Sequence, residues 1–217
     1  MSDSGDLDVT RHETIDERLL NRVIFFTDAV FAIVLTLMVL ELKPPAFTDA
    51  AGSRAAWALL FSQLFAMAMS FIVIGIFWIA HLATTRRLRH FDWPTAVANL
   101  VFMFPICLLP FATAWWGRDL IAGAPWGVYC LVMMLCSLAN LGLVVTASRG
   151  GGRLMGGITR REWWYRVLRA ASPGVAFGLG LLLLLLHKTI YAQFSWVLIP
   201  IQLAIYGRTL KPTAEKP

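Results

Sequence analysis

Charge is scarce in this sequence. Asp, Glu, Lys and Arg make up 15% of 217 residues, whereas hydrophobic residues reach 58%. A soluble domain carries about 25% charged residues, so a bilayer-embedded chain is expected. Cysteine is sparse as well. Cys107, Cys130 and Cys136 sit in apolar segments at no metal-ligand spacing, and read as small buried hydrophobes without a disulfide or a metal site. Paired catalytic carboxylates and a nucleophile motif are missing, so no enzyme and no cofactor are expected. The N-terminal stretch MSDSGDLDVTRHETIDERLLNR has no apolar core and is not read as a secretory signal. No internal repeat or separate soluble domain is visible.

What remains is a series of apolar runs. Six are long enough to span, at about 20 residues per helix: Val23–Leu42, Ala55–Ala80, Pro94–Trp116, Trp126–Thr146, Ala171–His187 and Thr189–Tyr206. The expected fold is an all-α membrane protein with six transmembrane helices. Its domains are an N-terminal segment 1–22, a membrane domain 23–206 and a tail 207–217. The fifth and sixth runs share the tight connection His187-Lys188-Thr189 and read as a helical hairpin, and Pro200 is expected to kink the sixth. Lys43-Pro44-Pro45, Gly123-Ala124-Pro125 and the glycine-rich stretch 148–157 carry turn signals.

The basic residues predict orientation. Fifteen of the 19 Lys and Arg residues fall on one side of these spans. They are Arg11, Arg18 and Arg22 before the first; Arg86, Arg87 and Arg89 after the second; Arg149, Arg153, Arg160, Arg161, Arg166 and Arg169 between the fourth and fifth; and Arg208, Lys211 and Lys216 in the tail. Lys43, Arg54, Arg118 and Lys188 face the other way. Excess Lys and Arg marks the cytoplasmic face, so both termini are expected inside. The net charge of +6 is thereby a topology signal, and no nucleic-acid partner is expected. The stretch 160–169, with Trp163, Trp164 and Tyr165 amid arginines, reads as interfacial.

The first span, RVIFFTDAVFAIVLTLMVLEL, poses the main question, because it holds an aspartate. Asp at the centre of a spanning helix costs about 2.5–3.5 kcal/mol on insertion scales. With Arg22 at zero and about 100° per residue, Ala29, Ile33, Thr36, Leu37 and Leu40 fall within an arc of about 100°. Asp28 lies off that stripe at about 240° and Thr27 at about 140°. Taken alone, the stripe reads as lipid-facing or packed core, and the Thr36 hydroxyl can be satisfied on its own helix. Asp28 and Asn99 enter to about 8 Å from the same side, with Trp78 and His81 near the same level. Those three side chains can donate to the carboxylate. A structural clamp is the favoured reading, and an ion or proton site is the alternative.

The run Arg22-x-x-x-Phe26-Thr27-Asp28 resembles the Arg-x-x-x-Phe-Ser-Asp signature of the transmembrane protein 175 family, the endolysosomal potassium channels and their prokaryotic relatives. The likeness extends to WIAH closing the second span and ANLVFMFPICLLPF in the third. Thr27 stands where the motif has serine and keeps the hydroxyl. The resemblance implies a homotetramer in a prokaryotic cell membrane, with four first helices lining a potassium pore and no other metal bound. It implies Ile33, Leu37 and Leu40 as the hydrophobic constriction and Thr36 as a polar step. It further implies that Arg22, Thr27, Asp28, Trp78, His81 and Asn99 form a polar network off the pore. The chain has no Thr-Val-Gly-Tyr-Gly loop, so a carbonyl filter is not expected. A coupled transporter using Asp28 and His81 is the main alternative, although broken midplane helices and repeats, usual in such carriers, are not visible. An intramembrane enzyme is the third reading.

Overall fold

The computed structural model describes residues 3–44, 50–90 and 92–210. Pro45, Lys211 and Lys216, and the side chain of Arg11, lie outside the described residues. No strand occurs among those described. The chain forms α1 (Asp3–Leu40), α2 (Ala50–Thr85), α3 (Trp93–Arg118), α4 (Gly123–Ala147), α5 (Arg149–Gly152), α6 (Arg160–Leu185), α7 (Thr189–Ala192) and α8 (Leu198–Thr209). Six stretches are long and apolar enough to cross a membrane: 15–40, 52–85, 93–118, 123–147, 160–185 and 189–209. The membrane fold is therefore all-α with six spans.

The helices overrun the expected apolar runs. α1 has 38 residues, about 57 Å at 1.5 Å per residue, against a hydrocarbon core of about 30 Å. Residues 3–22 continue the helix rather than forming a separate element. α6 likewise begins at Arg160, not near Ala171. Thr159 accepts the Glu162 N–H at 3.2 Å and caps an orphan donor there. The arginine- and tryptophan-rich stretch 160–169 is thus the first part of the fifth span.

The sixth span departs from expectation at a different place. It is broken between α7 and α8, where the chain passes through a 3-10 turn at Ser195–Val197. The Gln193 side-chain amide is tied to the Leu120 carbonyl there. Pro200 is the third residue of α8, where its missing N–H has no intrahelical partner to lose. Trp196, four residues before it, lies in that 3-10 turn, so the break falls where a proline ring acts. The expected hairpin turn before α7 is present. His187 adopts φ 57, Lys188 N donates to Leu183 O at 2.8 Å and His187 N to Leu184 O at 2.9 Å, a Schellman closure with histidine in the usual glycine position.

α4 is central, packed between α3 and α6, while α1 lies on α3 and α2, and α8 on α6. Two devices lock the centre. Trp116, Trp126, Tyr129 and Phe177 form an aromatic cluster with ring centroids 4.9 to 6.0 Å apart; such pairs contribute about 0.5–1.5 kcal/mol each. Pro173 interrupts the α6 hydrogen-bond ladder, and α4 repairs it. Ser137 Oγ donates to Ala170 O at 2.7 Å and accepts from Gly174 N at 2.8 Å. A Cβ on Gly174 would lie 2.8 Å from that oxygen, so only glycine lets the two helices meet. Dry hydrocarbon requires this kind of repair.

Candidate functional site

α1 has two faces. Thr27, Phe31, Val34 and Met38 are buried against α2 and α3, and at about 100° per residue they share one arc between about 120° and 180° from Arg22. The opposite arc is left open by the chain's own packing. Ile33 is 56% exposed, Leu37 43% and Leu40 75%, and Thr36 is exposed beside them. Leu35 is partly buried against the core. Thr36 Oγ1 donates to Ile33 O at 2.8 Å and lies 3.1 Å from Ala32 O. Its proton is committed to the helix backbone, so only oxygen lone pairs remain to face outward.

The polar residues at the basic end of α1 form two separate links. In one, Asn99 on α3 joins the other two helices. Its Nδ2 donates to Thr27 Oγ1 at 2.7 Å, and its Oδ1 lies 2.7 Å from His81 Nε2. Thr27 Oγ1 in turn donates to Val23 O at 2.9 Å. All three side chains are buried, His81 to 1% exposure. Phe31 and Phe102 lie 6.1 and 6.0 Å from the His81 ring, the latter stacked. With its Nε2 facing an amide carbonyl, His81 donates there as the Nε2–H tautomer. The second link is a single bond, from the Trp78 indole to Asp28 Oδ1 at 2.9 Å. Asp28 is half-buried and Trp78 is 37% exposed.

The expected donor set therefore divides. Trp78 reaches the carboxylate, whereas His81 and Asn99 are paired with each other. Arg22 is exposed and has no hydrogen-bond or ion-pair partner among the described residues. Thr27 carries the α1 end of the first link, and its angle, shared with Phe31 and Val34, points inward. A second buried cluster was missed in the sequence. Ser70 on α2 receives Thr113 Oγ1 at 2.8 Å and lies 3.0 Å from Tyr129 Oη, joining α2, α3 and α4. No group of His, Cys, Asp and Glu suited to a metal ion occurs among the described residues.

This is a six-span membrane protein whose first helix is pinned on one face by a polar triad and bare on the other. Residues 22–110 match the sequence model of the family described as "Endosomal/lysosomal potassium channel TMEM175". Over those residues the chain is similar to that family. It is 32% identical over 117 residues to a potassium channel of Chryseobacterium sp. (strain P1-3), covering 52% of this chain and 57% of that protein. It is 31% identical over 122 residues to a potassium channel of Streptomyces collinus, covering 54% and 59%. The chain thus spans under three-fifths of the length of these relatives. The rat endosomal/lysosomal proton channel TMEM175 is 23% identical over 142 residues, which is 27% of its length. In fold, the chain is similar to the crystal structure of a lysosomal potassium-selective channel TMEM175 homolog from Chamaesiphon minutus. The TM-score is 0.70 at 20% identity, over 90% of this chain and 100% of the other.

Proposed function

We propose that this chain is one subunit of a homotetrameric potassium channel whose conduction path is lined by four copies of α1. The open face of that helix carries the proposal: Ile33, Leu37 and Leu40 stay exposed while Phe31, Val34 and Met38 opposite them are buried. One chain contributes only one such helix, and one helix cannot enclose a path. Four copies would bring the aliphatic residues into a narrow neck that gates by dewetting. Four Thr36 oxygens, with their protons turned to the backbone, would offer acceptor rings within it. A weakly hydrated cation loses less when partly stripped of water, which favours potassium over sodium. No carbonyl filter is needed for this.

The Thr27–Asn99–His81 triad and the Asp28–Trp78 bond lie to the side of that path, and their part is to fix the rotation of α1. The basic end faces the cytoplasm of a prokaryotic cell, with both termini inside, by the excess of Lys and Arg there. The transporter reading needs Asp28 and His81 to titrate as a pair, and each has a different hydrogen-bond partner. An enzymatic reading gains no support from relatives named as channels.

Purified protein in a planar bilayer under opposed potassium and sodium gradients tests the reading. Current should flow, and it should reverse near the potassium equilibrium potential; native mass measurement should give four subunits. Coupled flux without current would favour the transporter, and a population of monomers alone would remove the pore. A pH gradient on the same bilayer would show whether protons pass, the activity named for the rat relative.

A further inference from the structure

Away from α1, the basic end of the bundle holds a cavity of about 310 Å³ between α2, α4 and α6. Its charges do not cancel. Glu162 is claimed by two arginines, Arg87 and Arg166. Arg169, on the same wall, has no partner among the described residues, and the Tyr165 hydroxyl has none either. Deeper in, Asn140 is 4% exposed, and its Oδ1 is buried with no hydrogen bond. A buried amide without a partner is costly, and so is a guanidinium without a counter-ion at the edge of a membrane. Both lose that cost if an anionic, hydrogen-bonding group fills the cavity.

The cavity has an apolar continuation. A groove lined by Val73, Ile76 and Phe77 of α2 and Ile199 and Leu203 of α8 meets it at Ala80, Asn140 and Arg169. A fixed cation and an unpaired amide thus stand at the mouth of a greasy slot on membrane-spanning helices. A free phosphate uses the first and wastes the second. We propose that this site binds an anionic phospholipid. The phosphate sits on Arg169, whose planar fork suits phosphate oxygens, beside the Tyr165 hydroxyl. The Asn140 amide donates to an ester or phosphate oxygen and accepts from a headgroup hydroxyl, and one acyl chain follows the groove.

Lipid retention on the full-length protein, read by native mass spectrometry, tests this. Phosphatidylglycerol should be retained in preference to phosphatidylcholine. Arg169→Gln should cut that preference about tenfold, the loss of a charge-assisted pair of hydrogen bonds. Arg153→Gln, an exposed arginine beyond the cavity, should leave it unchanged. Ala80→Trp blocks the junction without touching a charge, and should expel lipid in a correctly assembled protein. Equal retention of the two lipids would overturn the proposal. So would an equal loss in Arg153→Gln, which indicates a diffuse basic surface. Displacement of the lipid by equimolar glycerol phosphate would make this a headgroup site without use of the groove. Crosslinking of Thr84→Cys to another subunit would put a second copy in the cavity.

Discussion

α1 and α4 are both apolar enough to span a membrane, yet they are committed to their surroundings differently. Half of the most apolar stretch of α4 is buried within the chain (50%), against 22% of that of α1. α4 spends its polar side chains on neighbours to several sides: Tyr129 toward α2, Ser137 into the α6 kink. α1 directs Thr27 inward and leaves the arc from Ile33 to Leu40 exposed among the described residues. In a bilayer the hydrophobic effect does not drive helices together; close packing and interhelical hydrogen bonds do. Hydropathy therefore tells only that a helix spans, while the angular placement of its polar and bulky residues tells which face is already committed.

Truncating the two faces of α1 in turn should give the largest difference. Phe31→Ala should cost about 3–5 kcal/mol, as for a buried aromatic ring, and lower the thermal unfolding midpoint in detergent. Leu40→Ala on the open face should change stability by no more than about 0.5 kcal/mol. Equal losses would mean that α1 is packed on both sides.

A smaller effect separates the two polar links. Asn99→Leu leaves the buried Thr27 and His81 groups without their partner, at about 1–3 kcal/mol per orphaned group. Asp28→Ala loses one half-exposed bond and should cost about 1 kcal/mol. Thermal stability of the two variants should follow that order. If Asp28→Ala folds as well as the parent but alters ion preference, Asp28 belongs to the ion path rather than to the clamp.

The smallest change in folding is expected at Thr36. Its hydroxyl is satisfied within its own helix, so Thr36→Val should leave the unfolding midpoint nearly unmoved. Reversal potentials should nevertheless shift toward reduced potassium preference, because the proposed tetramer would lose four acceptor oxygens.

The spans were legible in the sequence because composition alone decides them, and the stripe on α1 was legible because 3.6-residue periodicity needs no partner. Arg160 as a helix start was not: the apolar run begins later, and the capping pair Thr159 and Glu162 lay outside it. A disturbance of the sixth span near Pro200 was legible because a proline is visible, whereas the tie from Gln193 to Leu120 joins distant parts of the chain. Depth placed Asp28, Trp78, His81 and Asn99 at one level. It could not pair them, because pairing depends on which way each helix is rotated. His81 ended on Asn99 for that reason.

The open face of α1 is proposed to meet a conduction path. Single-channel recording of Ile33→Asn beside Leu35→Ala tests it most directly. Ile33→Asn should wet the neck, raise unitary conductance and erode the discrimination between potassium and sodium, while Leu35→Ala, on the partly buried side, should leave both nearly unchanged. Control of permeation by Leu35, with Ile33→Asn conducting like the parent, would contradict the account and place the path on another helix.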